Sequence, residues 1–346
     1  MKILYIGSKS GNSLNKYKSF KKIYKNIDFL NTDNFFPFNR FTYPVFYRFN
    51  YFFFDYLIYA FYLKKVLKKY DLIFFFNVPF INKKSFNYLK KQSKKIVFYC
   101  SDNPFLKRDK NLWLPLLSVI KKFDLLIFQQ KNRIKYAKEF KLKNYVVFLP
   151  SVNFKFYKEI KFRNTNYKRN ISFVGTWFPE RGKFFYDLYK LGLKFQIYGT
   201  LWNKDKKYYK YIKHFINLGH VNLTKYRKIV SESKINLCLF SKGNDDDVTE
   251  RCSEIASFGG LLCSERTLTM KKIFRENKEA IYFKNAKECK IVCNNILKNE
   301  RKLRDIASNG NERIKQLNAN DYEILKKIIN ITFDNEKTPN KFIFKF

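Results

Sequence analysis

Four continuous apolar runs, Asp71–Phe76 (DLIFFF), Ile96–Cys100 (IVFYC), Asp124–Phe128 (DLLIF) and Tyr145–Leu149 (YVVFL), follow one another about 20 to 30 residues apart. Runs without polar alternation are strands buried on both faces, which belong to parallel sheets covered by helices. The stretches between them, Lys83–Lys91, Leu112–Lys122 and Arg133–Phe140, read as helices. Each step is therefore a strand–helix–strand crossover, right-handed because twisted strands feed helices back onto the sheet that way. Lys2–Ile6 is an earlier strand running into Gly7-Ser-Lys-Ser-Gly11. A second series begins after Pro150, with strands Asn170–Val174 (NISFV), Phe195–Tyr198 (FQIY), Lys234–Phe240 (KINLCLF) and Leu261–Ser264. Lys183–Gly192, Lys204–Asn217, Lys225–Ser233, Ala286–Lys298 and Glu300–Gln316 are its predicted helices, with Met270–Arg275 and Ala280–Tyr282 as short elements between. Residues 151–169 have no period and mark a linker. The expectation is an α/β protein of two Rossmann-like halves, residues 1–152 and 153–315, with a tail, 316–346, returning to the first half.

At 346 residues and 46% hydrophobic, both halves can bury a core. The net charge of +41 taken alone suggests nucleic acid or an anionic membrane. The cations are spread over the whole chain, however, and Lys, Asn, Ile, Phe and Tyr are abundant together, as A/T-rich codon usage produces. With no nucleic-acid motif to concentrate them, no specific nucleic-acid partner is expected. The lysine- and aromatic-rich stretch Phe35–Lys69 reads as part core and part surface for peripheral contact with an anionic membrane. Its most apolar portion, Phe49–Leu63, is broken by Asn50 and Asp55 and is too short to span a bilayer. The six cysteines show no zinc-ligand spacing and read as small hydrophobes in a reducing compartment. The opening MKILYIG is a strand and not a signal peptide, so a cytoplasmic protein, at most peripheral at the inner membrane face, is expected.

Chemistry concentrates in Lys242–Glu265. With Val248–Phe258 helical, Asp247, Glu250, Arg251 and Glu254 share one face, while Cys252, Ile255, Ala256 and Gly259 share another. The Gly259-Gly260 pair ends the helix. A strand, a polar loop and a helix with charged first turns make a ligand site at the carboxyl end of a parallel sheet. Asn170–Val174 likewise runs into Gly175-Thr-Trp-Phe-Pro-Glu-Arg181-Gly182, where Arg181 and Lys183 sit at a helix start that favours an anion. The alternative is that both are ordinary surface cations. The Gly7–Gly11 loop offers amides to an anion but lacks dinucleotide or Gly-Lys-Ser/Thr spacing. Asp245-Asp246-Asp247 could hold Mg or Mn through oxygen ligands, or be an ordinary loop before a helix. His220 is a candidate general base, or a structural residue beside Gly219.

On these residues the second half resembles the donor-binding domain of the GT-B glycosyltransferases, and among them the CgeB-like group of group 1 glycosyltransferases. Glu254-Ile-Ala-Ser-Phe-Gly259 is similar to the Glu-Ala-x-Ala-x-Gly signature, and Arg251-Cys-Ser-Glu254 to the CgeB-like Arg-x-x-Glu. Gly175–Gly182 is similar to Gly-Arg-Leu-x-x-x-Lys-Gly, with Thr176 at the arginine position and Arg181 at the lysine position. Gly219-His-Val221, Ile306–Arg313, Asp102-Asn-Pro104 and Asn153 extend the likeness. The resemblance implies two Rossmann-like domains facing a cleft. It implies Glu254 on the donor ribose, and Gly175, Thr176, Arg181, Lys183, Arg251 and Gly259 around the donor diphosphate. Asp246 stands where many retaining relatives have a second glutamate beside the donor sugar, which makes Asp246 and Glu254 the catalytic candidates. Gly7, Gly11, Asn12 and Asp102 would face the acceptor. The implied reaction is a retaining, metal-independent sugar transfer from a nucleoside diphosphate to a saccharide, lipid-linked or other hydroxyl acceptor in cell-surface glycan synthesis, with no cofactor and no metal. A non-catalytic surface-assembly or polysaccharide-binding factor is the alternative, because Thr176 and Asp246 depart from the catalytic pattern.

Overall fold

The computed structural model describes residues 1–35, 55–152, 167–333 and 341–342. It divides into two compact units, one of residues 1–153, 243–245 and 320–345, the other of 154–242 and 246–319.

The first unit holds β1 (Ile3–Gly7), β2 (Ile27–Asn31), β3 (Tyr70–Phe76), β4 (Ser93–Cys100), β5 (Leu125–Phe128), β6 (Tyr145–Val147) and β13 (Lys341–Phe342). All pair in parallel, in the order β13-β6-β5-β4-β3-β1-β2. Alternate residues of each strand serve opposite cores. Leu4, Ile6, Ile73, Phe75, Ile96 and Phe98 meet Phe86, Leu89 and Trp113 on one face. Ile3, Tyr5, Leu72, Phe74, Val97 and Tyr99 meet Ile324, Leu325 and Ile328 on the other. Those last three belong to the helix Asp321–Phe333, whose first residue forms a buried ion pair with Lys16 of the helix Gly11–Ile23. Ser151 Oγ donates to the same carboxylate at 2.8 Å.

The second unit holds β7 (Arg169–Val174), β8 (Gln196–Gly199), β9 (Ile216–Leu218), β10 (Ser233–Cys238), β11 (Leu262–Glu265) and β12 (Ile281–Phe283), parallel in the order β12-β11-β10-β7-β8-β9. In each sheet the first strand lies inside, and the chain winds outward from it in both directions. The resulting switch points, between β1 and β3 and between β7 and β10, are where a crevice opens at the carboxyl ends of the strands. The expected α/β class with parallel sheets is what the chain forms.

Several elements differ from the sequence reading. β2 and β9 were not expected. β2 is half-buried along its length, so its apolar signal is weak. β9 lies where the helix Lys204–Asn217 was expected. There the chain breaks into short turns around one helical turn, Tyr209–Ile212. Ring contacts tie that region down, with Tyr186 of the helix Pro179–Lys190 about Tyr208 and Tyr211, both centroids at 5.0 Å. The helix expected over Leu112–Lys122 is a single turn, Leu114–Leu117, followed by a tighter one at Ile120–Lys122. Ser118 Oγ donates to Pro115 O at 2.6 Å, the local bond by which serine competes with helix continuation. Most of the linker 151–169, Asn153, and the aromatic run 36–54 lie outside the described residues. No described helix is long and apolar enough to cross a membrane.

Candidate functional site

The β7/β10 switch point gathers Gly175, Thr176, Arg181, Arg251 and Glu254 from two adjacent strand ends. β7 ends at Val174, and Gly175 follows because nothing larger fits. A Cβ there would lie 2.7 Å from Arg251 Nη1 and 2.6 Å from the Phe173 ring. Gly199 at the end of β8 is equally forced, since its φ is +156° and a Cβ would overlap Gly175 O. Trp202 Nε1 holds that carbonyl from the other side at 2.8 Å. The loop next enters the helix Pro179–Lys190, whose proline suits the first helical turn.

Arg181, in the first turn of that helix, is 7% exposed. Its Nη1 donates to Thr176 O at 2.7 Å and its Nη2 to Leu239 O at 3.2 Å, while Nε has no partner. The guanidinium stacks 4.5 Å over the Phe178 ring. Burial, and after it repulsion from Arg251, pulls Arg181 down to about 10. Arg251 in turn donates to Val174 O. Two guanidiniums are thus fixed by main-chain carbonyls, with charges that repel, an arrangement able to receive an anion. An incoming anion would relieve the strain on both.

The helix after β10 runs Glu250–Ser257, with Thr249 as N-cap, two residues later than the sequence suggests. Asp247 is therefore outside it. Its carboxylate accepts from Thr269 Oγ1 at 2.6 Å, so it does not share a helical face with Glu254. Glu250, Arg251 and Glu254 do lie along one side of the helix, Glu254 half-buried. Gly259, at φ +73°, closes the helix, with the Gly260 N–H reaching Ile255 O at 3.0 Å. Asn311 secures the same end by donating to Ala256 O at 2.9 Å and Ser257 O at 3.2 Å. That contact accounts for the Ile306–Arg313 segment, which belongs to the helix Glu300–Gln316.

Residues that sequence reading did not single out complete the surroundings. Tyr226, on the helix Leu223–Ser231, is buried with its hydroxyl unpartnered, and burial, then the Glu254 charge, raise it. Cys238 ends β10 with its Sγ 3.6 Å from Cys252 Sγ. The Cys252 hydrogen bond, and then the positive field of Arg251 and Arg181, hold the Cys238 thiol below its ordinary value. Glu265 accepts from the Phe240 N–H at 2.6 Å and from Lys242 Nζ at 2.7 Å, and the Lys242 N–H reaches Glu180 Oε1 at 3.3 Å. None of these carries a motif, because each arrives from a different strand or helix.

Lys183 is not gathered with the arginines. It lies exposed on the helix, paired with Asp187 at 2.5 Å, which raises it above its usual value. Asp246 follows the loop, its N–H on Ser241 O at 3.1 Å. The three aspartates do not converge. Asp245, at φ +53°, counts with the first unit, where Lys135 and Tyr136 bind it at 2.9 Å each, while Asp247 serves Thr269. His220 is exposed. Among the described residues the one group of three potential metal ligands is Cys263, Cys289 and Cys293, whose thiols lie within 4.8 Å of one another. Spacing could not reveal it, because Cys263 comes from β11. All three are buried among aliphatic and aromatic side chains, where thiols pack as small apolar groups.

In the first unit, Gly7 ends β1 against Ser13, and Gly11 (φ +52°) and Asn12 open the helix. The Lys9 N–H points to Asp33 Oδ2 at 2.8 Å, so part of that amide loop already holds a carboxylate. Asp102 follows β4, two strands from β1. It accepts from Asn77 Nδ2 at 2.6 Å and Arg108 Nη2 at 3.0 Å.

Comparison with known proteins rests on this geometry. Solved structures align along nearly the whole chain. Sucrose-phosphate synthase from Thermosynechococcus elongatus aligns with TM-score 0.69 and 9% identity, over 96% of this chain and 99% of that one. HepE from Anabaena, in complex with UDP and glucose, aligns with TM-score 0.66 and 12% identity, over 95% and 98%. The trehalose-6-phosphate protein of E. coli bound with UDP-2-fluoro glucose aligns with TM-score 0.63 and 13% identity, over 98% and 100%. The fold is that of the GT-B glycosyltransferases. Residues 181–324 also match the family described as Glycosyl transferase-like. That segment begins at Arg181 and includes Arg251 and Glu254. No curated protein matches the sequence.

Proposed function

We propose that this GT-B chain transfers a sugar from a nucleoside diphosphate donor to a saccharide or other hydroxyl acceptor. The observation that carries the reading is the buried Arg181, whose Nε is unpartnered and whose charge is opposed by Arg251, one strand from Glu254. A diphosphate would seat between the two arginines. Glu254 would accept hydrogen bonds from the ribose, and Asp246 would contact the transferred sugar. As the sugar leaves, negative charge builds on the diphosphate, and donors already fixed in place stabilise it without reorganising. Two arginines can do this without a metal, which suits a metal-independent reaction, and retention of configuration is what the resemblance to the CgeB-like group implies. Gly7, Gly11, Asn12 and Asp102 would serve the acceptor, in cell-surface glycan synthesis at the inner face of the membrane. UDP is the first donor base to test, since HepE was seen with UDP and glucose.

The test is a thermal-shift panel of UDP, GDP and ADP, with and without EDTA, on wild type and Glu254→Ala. Stabilisation by one nucleotide that survives EDTA and disappears in the variant supports the proposal. Indifference to all three would favour the non-catalytic reading, to which Thr176 in place of an arginine already points.

A further inference from the structure

We propose that the first unit docks on an anionic lipid bilayer through residues 56–69, with Tyr56, Leu57, Phe61 and Leu67 entering the headgroup layer and the flanking lysines meeting lipid phosphates. The short helix Asp55–Ile58 continues as a π turn, Tyr59–Leu63, closed by the Lys64 N–H on Tyr59 O at 2.8 Å. Five-residue spacing then sorts the side chains. Ile58 and Leu63 are fully buried in the core, whereas Tyr56 and Phe61 are 64% and 57% exposed. Leu67, in the following loop, is 77% exposed. The fold gains little from a large apolar group at these positions, and exposed apolar groups concentrated in one short stretch mark an interaction site.

The charges beside them are mostly positive. Lys64, Lys65, Lys68 and Lys69 are exposed, and Lys84 Nζ lies 4.4 Å over the Tyr56 ring and 4.7 Å over the Tyr59 ring. Against these five lysines stand two carboxylates, Asp28, 3.4 Å from Lys68, and Asp55, which opens the helix. No Asp or Glu occurs between Tyr56 and Lys69. The preceding sequence, 36–54, holds eleven aromatic residues, Arg40 and Arg48 and no carboxylate. Aromatic rings that sit at headgroup depth, with lysines reaching phosphate, are the chemistry of an interfacial membrane site. Single-stranded nucleic acid would also use rings and cations, but it has no use for exposed Leu57 and Leu67, which hydrocarbon does.

The test is co-sedimentation with phosphatidylcholine vesicles containing roughly two-fifths phosphatidylglycerol, or none, at about 0.1 M salt. The variants are Phe61→Ser/Leu67→Ser and Lys64→Glu/Lys65→Glu. Wild type should partition onto the anionic vesicles and not the neutral ones, and each double variant should lose about tenfold or more of that partition. Partition that survives Phe61→Ser/Leu67→Ser would reduce the effect to adsorption by net charge and overturn the proposal, as would displacement of wild type from vesicles by single-stranded DNA. The inference extends the proposed placement at the membrane face. UDP-induced stabilisation, measured on the same variants, should be unchanged, so a failure of docking and a failure of the donor reading would be told apart.

Discussion

Arg181 carries a charge that its surroundings disfavour. Its burial and its repulsion from Arg251 disfavour the charge until an anion arrives. Arg181→Ala should therefore weaken nucleoside diphosphate binding by about 10- to 100-fold, the value of one or two charge-assisted bonds, as calorimetric titration would read. Arg181→Lys should recover only part, since an ammonium cannot hold Thr176 O, Leu239 O and a phosphate in one plane. Gly199→Ala tests the strand ends beneath the site. With φ at +156° and Gly175 O in the way, the variant should lose about 2 to 4 kcal/mol in urea unfolding. Arg181 and Glu254 could be singled out from sequence, because each falls in a stretch similar to a family signature, Gly175–Gly182 and Arg251–Gly259. Tyr226 and Cys238 were not. Their relation to Glu254 and Arg251 exists only once the helix Leu223–Ser231 and β10 are packed.

At the scale of elements, the helix Glu250–Ser257 is short, and its placement depends on what closes its ends. Asn311 satisfies two carbonyls at its carboxyl end from another helix. Asn311→Leu should cost about 1 to 2 kcal/mol and raise hydrogen exchange within 250–257 more than in β7 or β10. A stability loss with uniform exchange would mean that Asn311 supports the unit as a whole and not this helix. The helix was readable from its apolar period and its Gly259 stop, whereas its start was not. Asp247 sits in register with the charged face in sequence, yet it is drawn away by Thr269. The broken 202–215 segment has the same cause, since tyrosine contacts across helices overrode a plausible helical pattern.

At the scale of the molecule, the first unit takes residues 1–153, 243–245 and 320–345, and the Lys16–Asp321 ion pair is buried where the last of these segments begins. Asp321→Ala leaves Lys16 buried without its carboxylate and should destabilise the first unit by about 3 to 5 kcal/mol. Lys16→Met/Asp321→Leu should restore most of that, because an apolar pair replaces the ion pair without leaving a charge behind. In calorimetry the Asp321→Ala effect should fall on the first unit's transition, while UDP should shift the second's. A single transition moved by both would show that the units unfold together.

Sequence pattern alone set the class of fold, two parallel sheets in succession, and pointed to the strand ends after which its charged loops fall. Unbroken apolar runs and their spacing are local properties, and crossover handedness leaves few topologies open. It also singled out Arg181, Arg251 and Glu254, which lie on the helices that follow β7 and β10. Only the tertiary structure decided which strands neighbour each other, that Lys183 turns to Asp187, that three aspartates in a row serve different partners, and that three distant cysteines meet. Those outcomes depend on contacts between segments far apart in the chain, where burial and the nearest available partner, not sequence proximity, set the free energy.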